Sequence, residues 1–403
     1  MKVQKYILNC TVVAGSILAG LLLCEGGLRL FLHPADYLGV QMVSDPVLGA
    51  VPSSHTRAGG FDSWGFRNSN VPDGVDIVAI GDSHTYGNTA TMVDSWPYAL
   101  GRLSRLKVYN MALGGYGPNQ YFALLPRALK LKPRLIICGL YMGDDFENAF
   151  LITYGLDHWA YLRELPDKNV DPNIWPVESR AGSLKAARVW LSWHSVAYQL
   201  LFHGPLMGLI QGEYQIRHAA ELYSGSATMV SVPDKNILEA FLPVGILHRI
   251  NQDSPAVREG MRITFRLLNE MNETSRHSGA DFLVVVIPTK ESVFSEYIEH
   301  KSTLPLSDVL DQVIANERVA RRKLFEFFDN SSIPYVDALP ALQRSVEHQL
   351  YARTAADIHP NRNGYRVVAE SIAEALKRKE KGSASSRQPE TGASTSAGKS
   401  LGR

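Results

Sequence analysis

The sequence predicts an α/β protein built on a central parallel β-sheet, with a membrane-spanning helix at its N-terminus. Three observations predict this. Runs at Val75–Ile80, Leu135–Tyr141 and Phe282–Ile287 are apolar at nearly every residue rather than alternating, as strands buried on both faces are. Helical patterns lie between them, for example Trp96 to Leu106 and Met261 to Thr274, and that alternation is the mark of an α/β chain. Lys2 and Lys5 precede an apolar stretch from Tyr6 to Leu23, continued past Glu25 by Leu28 to Leu32.

That N-terminal stretch is long enough to cross a bilayer, since about 20 residues at 1.5 Å each span the roughly 30 Å hydrocarbon layer. Positive charge ahead of the span keeps the N-terminus in the cytoplasm and puts residues 33–403 in the periplasm or otherwise outside it. A cleaved signal peptide and a lipoprotein signal ending at Cys24 are the rival readings. Both want small residues where this run has Leu21-Leu22-Leu23. We therefore expect a retained anchor over 1–32 and a linker over 33–60. The first half of the core follows at 61–150, an inserted cap at 151–256 and the second half of the core at 257–380. The insertion holds Trp159, Trp175, Trp190 and Trp193, a helical stretch near 184–202 and no clear buried strand, so it is expected to be largely helical. Trp at helical spacing is more often core than a sugar-stacking platform. A final helix is expected to end near Lys377. The tail 381–403 has one Leu and no aromatic residue, cannot offset the entropy of ordering, and is expected to be disordered.

Composition narrows the function. The 403 residues carry 41 basic and 40 acidic side chains, a net charge of +1, which does not suit a nucleic-acid partner. Cys10 and Cys24 fall in the apolar run, so Cys138 has no partner for a disulfide in the globular part. The His residues show no His-Glu-x-x-His spacing and no Gly-x-x-x-x-Gly-Lys loop occurs. Neither a metal nor a cofactor is expected, and oligomeric state is left open.

The chemistry concentrates at Gly81-Asp82-Ser83-His84-Thr85-Tyr86-Gly87, where the first strand ends. A serine there sits at the C-terminal edge of the sheet ahead of a helix, the place for a nucleophile. The same string can also be a plain turn with a helix N-cap. A serine hydroxyl needs a base, and Asp357-Ile358-His359 near the C-terminus offers an imidazole with an orienting carboxylate ahead of a last amphipathic helix.

These residues resemble the SGNH/GDSL hydrolases, whose first block is Gly-Asp-Ser and whose last is an Asp-His pair before a final helix. The second block of the family is matched by Asn110-Met111-Ala112-Leu113-Gly114-Gly115-Tyr116-Gly117, with Gly115 where a backbone N–H serves the oxyanion hole. The third, usually Gly-Asn-Asp, stands as Gly143-Asp144-Asp145, so Asp144 replaces the oxyanion-hole Asn. In the last block the Asp precedes the His by two positions rather than the commoner three. Gly65-Phe66-Arg67, Pro288-Thr289-Lys290-Glu291 and the anchor's Glu25 and Arg29 also match. Together they resemble exported, membrane-anchored bacterial members linked to acylation or deacylation of cell-surface polysaccharide. The resemblance covers roughly 61–150 and 257–378.

It implies a three-layer sandwich and a serine-dependent ester hydrolase or O-acyltransferase acting on an acylated carbohydrate or other ester. Ser83, Asp357 and His359 would be catalytic, with Ser83, Gly115 and Asp144 at the oxyanion hole. Asp82 would brace the turn, and Lys290 would be a surface lysine or a support for the site. An ionised Asp144 would oppose the developing oxyanion, so its carboxyl is expected either to stay protonated or, the favoured case, to turn away. A non-catalytic carbohydrate-binding or polysaccharide-assembly protein of the same fold is the alternative.

Overall fold

The computed structural model describes residues 2–166, 183–202, 205–298, 305–352 and 357–385. The chain opens with α1 (Lys2–Phe31), whose segment Thr11–Phe31 is long and apolar enough to cross a membrane and is not buried against the rest of the protein.

Five strands make one parallel sheet: β1 (Ile77–Gly81), β2 (Val108–Ala112), β3 (Leu135–Tyr141), β4 (Asp281–Ile287) and β5 (Tyr335–Asp337). Their order is β2-β1-β3-β4-β5. Ile77 stands opposite both Val108 and Leu135, and Leu135 opposite Asp281, so the carboxyl ends line up along one edge. The three apolar runs are β1, β3 and β4. In β2 a buried Asn110 interrupts the apolar pattern, and β5 is only three residues long, which hid both in the sequence. Asp76 belongs to no strand; its carboxylate accepts from Lys107 N at 2.8 Å and its carbonyl from Arg134 N at 2.9 Å, aligning the starts of β2 and β3 on β1.

The first half of the core contributes α2 (Ser83–Tyr86), α3 (Trp96–Ser104), α4 (Pro118–Leu129) and α5 (Asp145–Gly155). The insertion adds α6 (Ser183–His194), α7 (Val196–Phe202) and α8 (Pro243–Ile250); α9 (Pro255–His277), α10 (Ser307–Asn330) and α11 (Arg362–Ser385) belong to the second half. Residue parity decides the layers, because successive strand side chains point to opposite faces. Val78, Ile80, Cys138, Val284 and Val286 pack with α4 and α9. Ile77, Ala79, Ile137, Val285 and Ile287 pack with α3 and α11. α10 feeds both cores beside β5. This is the three-layer sandwich the resemblance implied. α9 crosses α5 so closely that a Cβ on Gly260 would lie 1.7 Å from the carbonyl oxygen of Phe146.

Two features differ from the reading of the sequence. Within the insertion, Thr228–Val232 and Ile237–Phe241 form an antiparallel hairpin, whereas no strand was expected there. The turn Pro233-Asp234-Lys235-Asn236 between two apolar runs was its available signal, with Asn236 left-handed at φ +54°. The last helix also runs past Lys377 to Ser385. Residues 386–403 of the tail, and Trp175, lie outside the described residues. Within 33–60 a hairpin of Met42–Asp45 and Gly49–Pro52 meets the core, Tyr116 Oη donating to Ala50 O at 2.8 Å.

Candidate active site

β1 ends in a sharp turn whose residues each serve the geometry. Asp82 caps α2, its Oδ1 accepting from His84 N at 2.9 Å, and Ser83 is the first helical residue and half-buried. The helix stops after one turn because Gly87 is left-handed, φ +88°, a conformation that side chains disfavour. A Cβ there would also lie 2.4 Å from Ser95 Cβ. Arg67, buried behind the turn, donates from Nη2 to Gly87 O at 3.0 Å and stacks 4.0 Å from the Tyr86 ring centroid. The order β2-β1-β3 makes the end of β1 the topological switch point, where open α/β sheets form their crevice.

The C-terminal loop delivers the other two groups from 276 residues away. His359 Nε2 lies 2.8 Å from Ser83 Oγ, and His359 Nδ1 lies 2.7 Å from Asp357 Oδ1. A carboxylate only accepts, so Nδ1 carries the proton and Nε2 accepts from the serine hydroxyl. The two-residue spacing holds Asp357 in place, because its Oδ1 also accepts from His359 N at 2.9 Å. Asn361 Oδ1 accepts from Asn363 N at 2.8 Å at the start of α11, Thr89 Oγ1 donates to Pro360 O at 2.7 Å, and Tyr365 Oη donates to Asn88 O at 2.9 Å. The last two bonds pin the loop to the segment after α2. Burial pushes the Asp357 carboxyl up, but the hydrogen bonds and charge of His359, with Lys290 nearby, outweigh it and leave it below the ordinary carboxylate range.

A second Asp-x-His pair flanks the serine. His84 Nδ1 lies 3.1 Å from Asp82 Oδ2, and its ring stacks 3.7 Å from Tyr141 and lies tilted 4.7 Å from His359. Burial lowers the His84 pKa against the pull of Asp82, so it stays neutral, and its Nε2 has no partner among the described residues. Of these two imidazoles, His359 is the one that reaches Ser83. Gly115 is left-handed, φ +75°, in the loop after β2, and a Cβ on its neighbour Gly114 would lie 3.6 Å from Ser83 Cβ. That loop therefore runs beside the serine.

Asp144 begins α5, with Oδ2 4.0 Å from Arg249 Nη1 and Oδ1 buried without a partner among the described residues. Burial and the charge of Asp82 raise its pKa to about 7, against the pull of Arg249 and His359. Asp82, Asp144 and Asp145 bring carboxylate oxygens within 4.8 Å of one another. Those of Asp145 accept from Tyr121 Oη and Tyr141 N, both at 2.8 Å, and those of Asp82 hold His84. The oxygen left open for a shared proton, or for a cation, is on Asp144.

Lys290 is no surface residue. It is 2% exposed, its Nζ 2.5 Å from Glu239 Oε2 and donating to Ala240 O at 3.1 Å, so it ties β4's carboxyl end to the insertion's hairpin. Beside it burial raises Glu291 to about 7, and Glu317 Oε2 accepts from Ser292 Oγ at 2.6 Å.

A pocket of about 660 Å³ opens on His359 and Asp357. Its far wall is Leu242, Val244, Ile246 and Arg249, all from the insertion. These residues were missed because no local pattern says that α8 turns back onto the site; the amphipathic period of 243–250 was the one available signal.

Residues 249–401, which hold Asp357 and His359, match the family model described as the SGNH hydrolase-like domain of acetyltransferase AlgX. Among solved structures the chain is similar to a G-D-S-L family protein from Desulfitobacterium hafniense, at 12% identity over 74% of this chain and 98% of that one, TM-score 0.37. It is similar to Axe2, an acetylxylan esterase from Geobacillus stearothermophilus, at 11% identity over 76% and 95%, TM-score 0.35. A GDSL-like lipase from Bacteroides thetaiotaomicron shows 11% identity over 75% and 88%, TM-score 0.32. No curated protein matches the chain.

Proposed function

We propose that the chain is a membrane-anchored, serine-dependent ester hydrolase or O-acyltransferase that handles ester-linked acyl groups of a cell-envelope or exported polysaccharide. The observation that carries this reading is the 2.8 Å approach of Ser83 Oγ to His359 Nε2, with Asp357 on the other ring nitrogen, at the mouth of a pocket. Ser83 Oγ attacks the acyl carbonyl as His359 takes its proton, and Asp357 stabilises the imidazolium. The N–H groups of Ser83 and Gly115 face the oxyanion, and a protonated Asp144 adds a donor. The tetrahedral intermediate collapses, His359 returns the proton to the departing alcohol, and the acyl group stays on Ser83. Water or a sugar hydroxyl then gives its proton to His359 and takes the acyl group, regenerating the serine. The acetyltransferase description of the family model supports an acetyl group as cargo, α1 supports a membrane anchor, and Lys2 and Lys5 ahead of it support a catalytic part outside the cytoplasm.

A fluorophosphonate probe applied to the full chain tests the reading. Ser83 should be modified, and Ser83→Ala should lose the labelling and at least about a thousandfold in turnover of p-nitrophenyl acetate. An unlabelled parent would instead favour a binding protein of the same fold.

A further inference from the structure

The insertion presents apolar side chains that the described fold leaves more than half exposed. Trp190 on α6 and Leu201 and Phe202 on α7 are 55%, 56% and 60% exposed. Their position says what meets them. α7 packs on α1, and the junction lies at one level of that helix. Glu25 accepts from Ser195 Oγ at 2.9 Å and from the backbone N–H groups of Val196 and Ala197 at 3.0 Å each, so a carboxylate of α1 caps the start of α7. Arg29 Nε pairs with Glu25 at 2.7 Å, and its Nη2 donates to His194 O at 2.8 Å, closing the last turn of α6.

Glu25 stands just beyond Leu23, where the apolar run from Tyr6 ends. That run is about 27 Å long at 1.5 Å per residue, close to the hydrocarbon thickness. Glu25 and Arg29 fall in the last third of the segment Thr11–Phe31, so the clamp sits toward the end of the span remote from Lys2 and Lys5. Tryptophan is at home toward the end of a span, at the membrane–water interface, and the exposed Lys185 and Arg188 of α6 suit anionic headgroups.

We propose that α6 and α7 form a bilayer-docking surface, with Trp190, Leu201 and Phe202 inserted at the lipid interface beside α1. This rests on α1 being retained in the membrane, as proposed above, and adds a second membrane contact that sets how the active site stands over the bilayer.

Photo-crosslinking tests it with the full chain in vesicles of phosphatidylethanolamine and phosphatidylglycerol containing a photoactivatable phospholipid. Lipid adducts are expected on peptides spanning α1 and on those spanning 184–202. In Leu201→Asp/Phe202→Asp, two exposed positions the fold does not need, adducts on the α7 peptide should fall about tenfold while those on α1 persist. Adducts confined to α1 would overturn the docking surface and leave the anchor standing. Adducts on neither would overturn both.

Discussion

Asp144→Asn probes the point at which the third block departs from what the resemblance implies. Burial and Asp82 raise the Asp144 carboxyl from 3.8 to about 7. About three pKa units at about 1.4 kcal/mol each set a ceiling near 4 kcal/mol on what ionisation costs the folded state. The side chain is 21% exposed and faces Arg249 at 4.0 Å, and that screening brings the figure to about 2 kcal/mol. The sign follows from linkage. Below about pH 4 the carboxyl is protonated folded or unfolded, and nothing is lost. Between about pH 4 and 7 the unfolded chain releases the proton while the folded chain keeps it, so stability falls as pH rises; above about pH 7 the full cost is present. Asn never ionises, so the variant should unfold with the parent near pH 4 and a few degrees above it near pH 8. Thermal unfolding of both full chains in detergent across that range is the assay. Ester turnover should follow, with a variant-to-parent ratio near one at about pH 5.5 that grows severalfold by about pH 8. A melting difference that ignores pH, or a variant less stable at the alkaline end, would refute the placement of the proton on Asp144.

Further outcomes follow from packing. Lys290→Met strands Glu239 in the interior and should cost about 3–5 kcal/mol in urea unfolding, with Glu239→Gln in the same chain restoring much of it. Gly260→Ala drives a methyl into the Phe146 carbonyl and should cost about 3 kcal/mol or more, whereas Gly245→Ala, with open space around it, should unfold near the parent.

The sheet was legible where strands are apolar throughout and lost where a polar side chain works inside one. Asn110 illustrates this: its Nδ2 donates to Thr85 O at 3.0 Å, bracing the helix that carries Ser83, and that same polarity broke the pattern by which β2 would have been read. The grouping of Ser83, His359 and Asp357 was legible because each stands in a short block, Gly81-Asp82-Ser83 after an apolar strand and Asp357-Ile358-His359 ahead of the last helix. Arg249 and His84 were not. Arg249 owes its place to the path of a long insertion, which no local signal encodes. His84 is distinguished from His359 by its ring not reaching Ser83, and two Asp-x-His strings look alike until they are folded.

The buried ammonium of Lys290 reaches from the carboxyl end of β4 to Glu239 and to the Ala240 carbonyl at the foot of the hairpin, and Leu242 to Arg249, which wall the pocket, come directly after that foot. A wall so fastened is a fixed jaw, since swinging it open would expose both charges to an interior without water. Under the function proposed above, a bulky glycan would have to thread its acylated hydroxyl into a standing aperture. Replacing the side chains of that jaw should shift which acylated sites are accepted, and the rate at a small activated ester should hold.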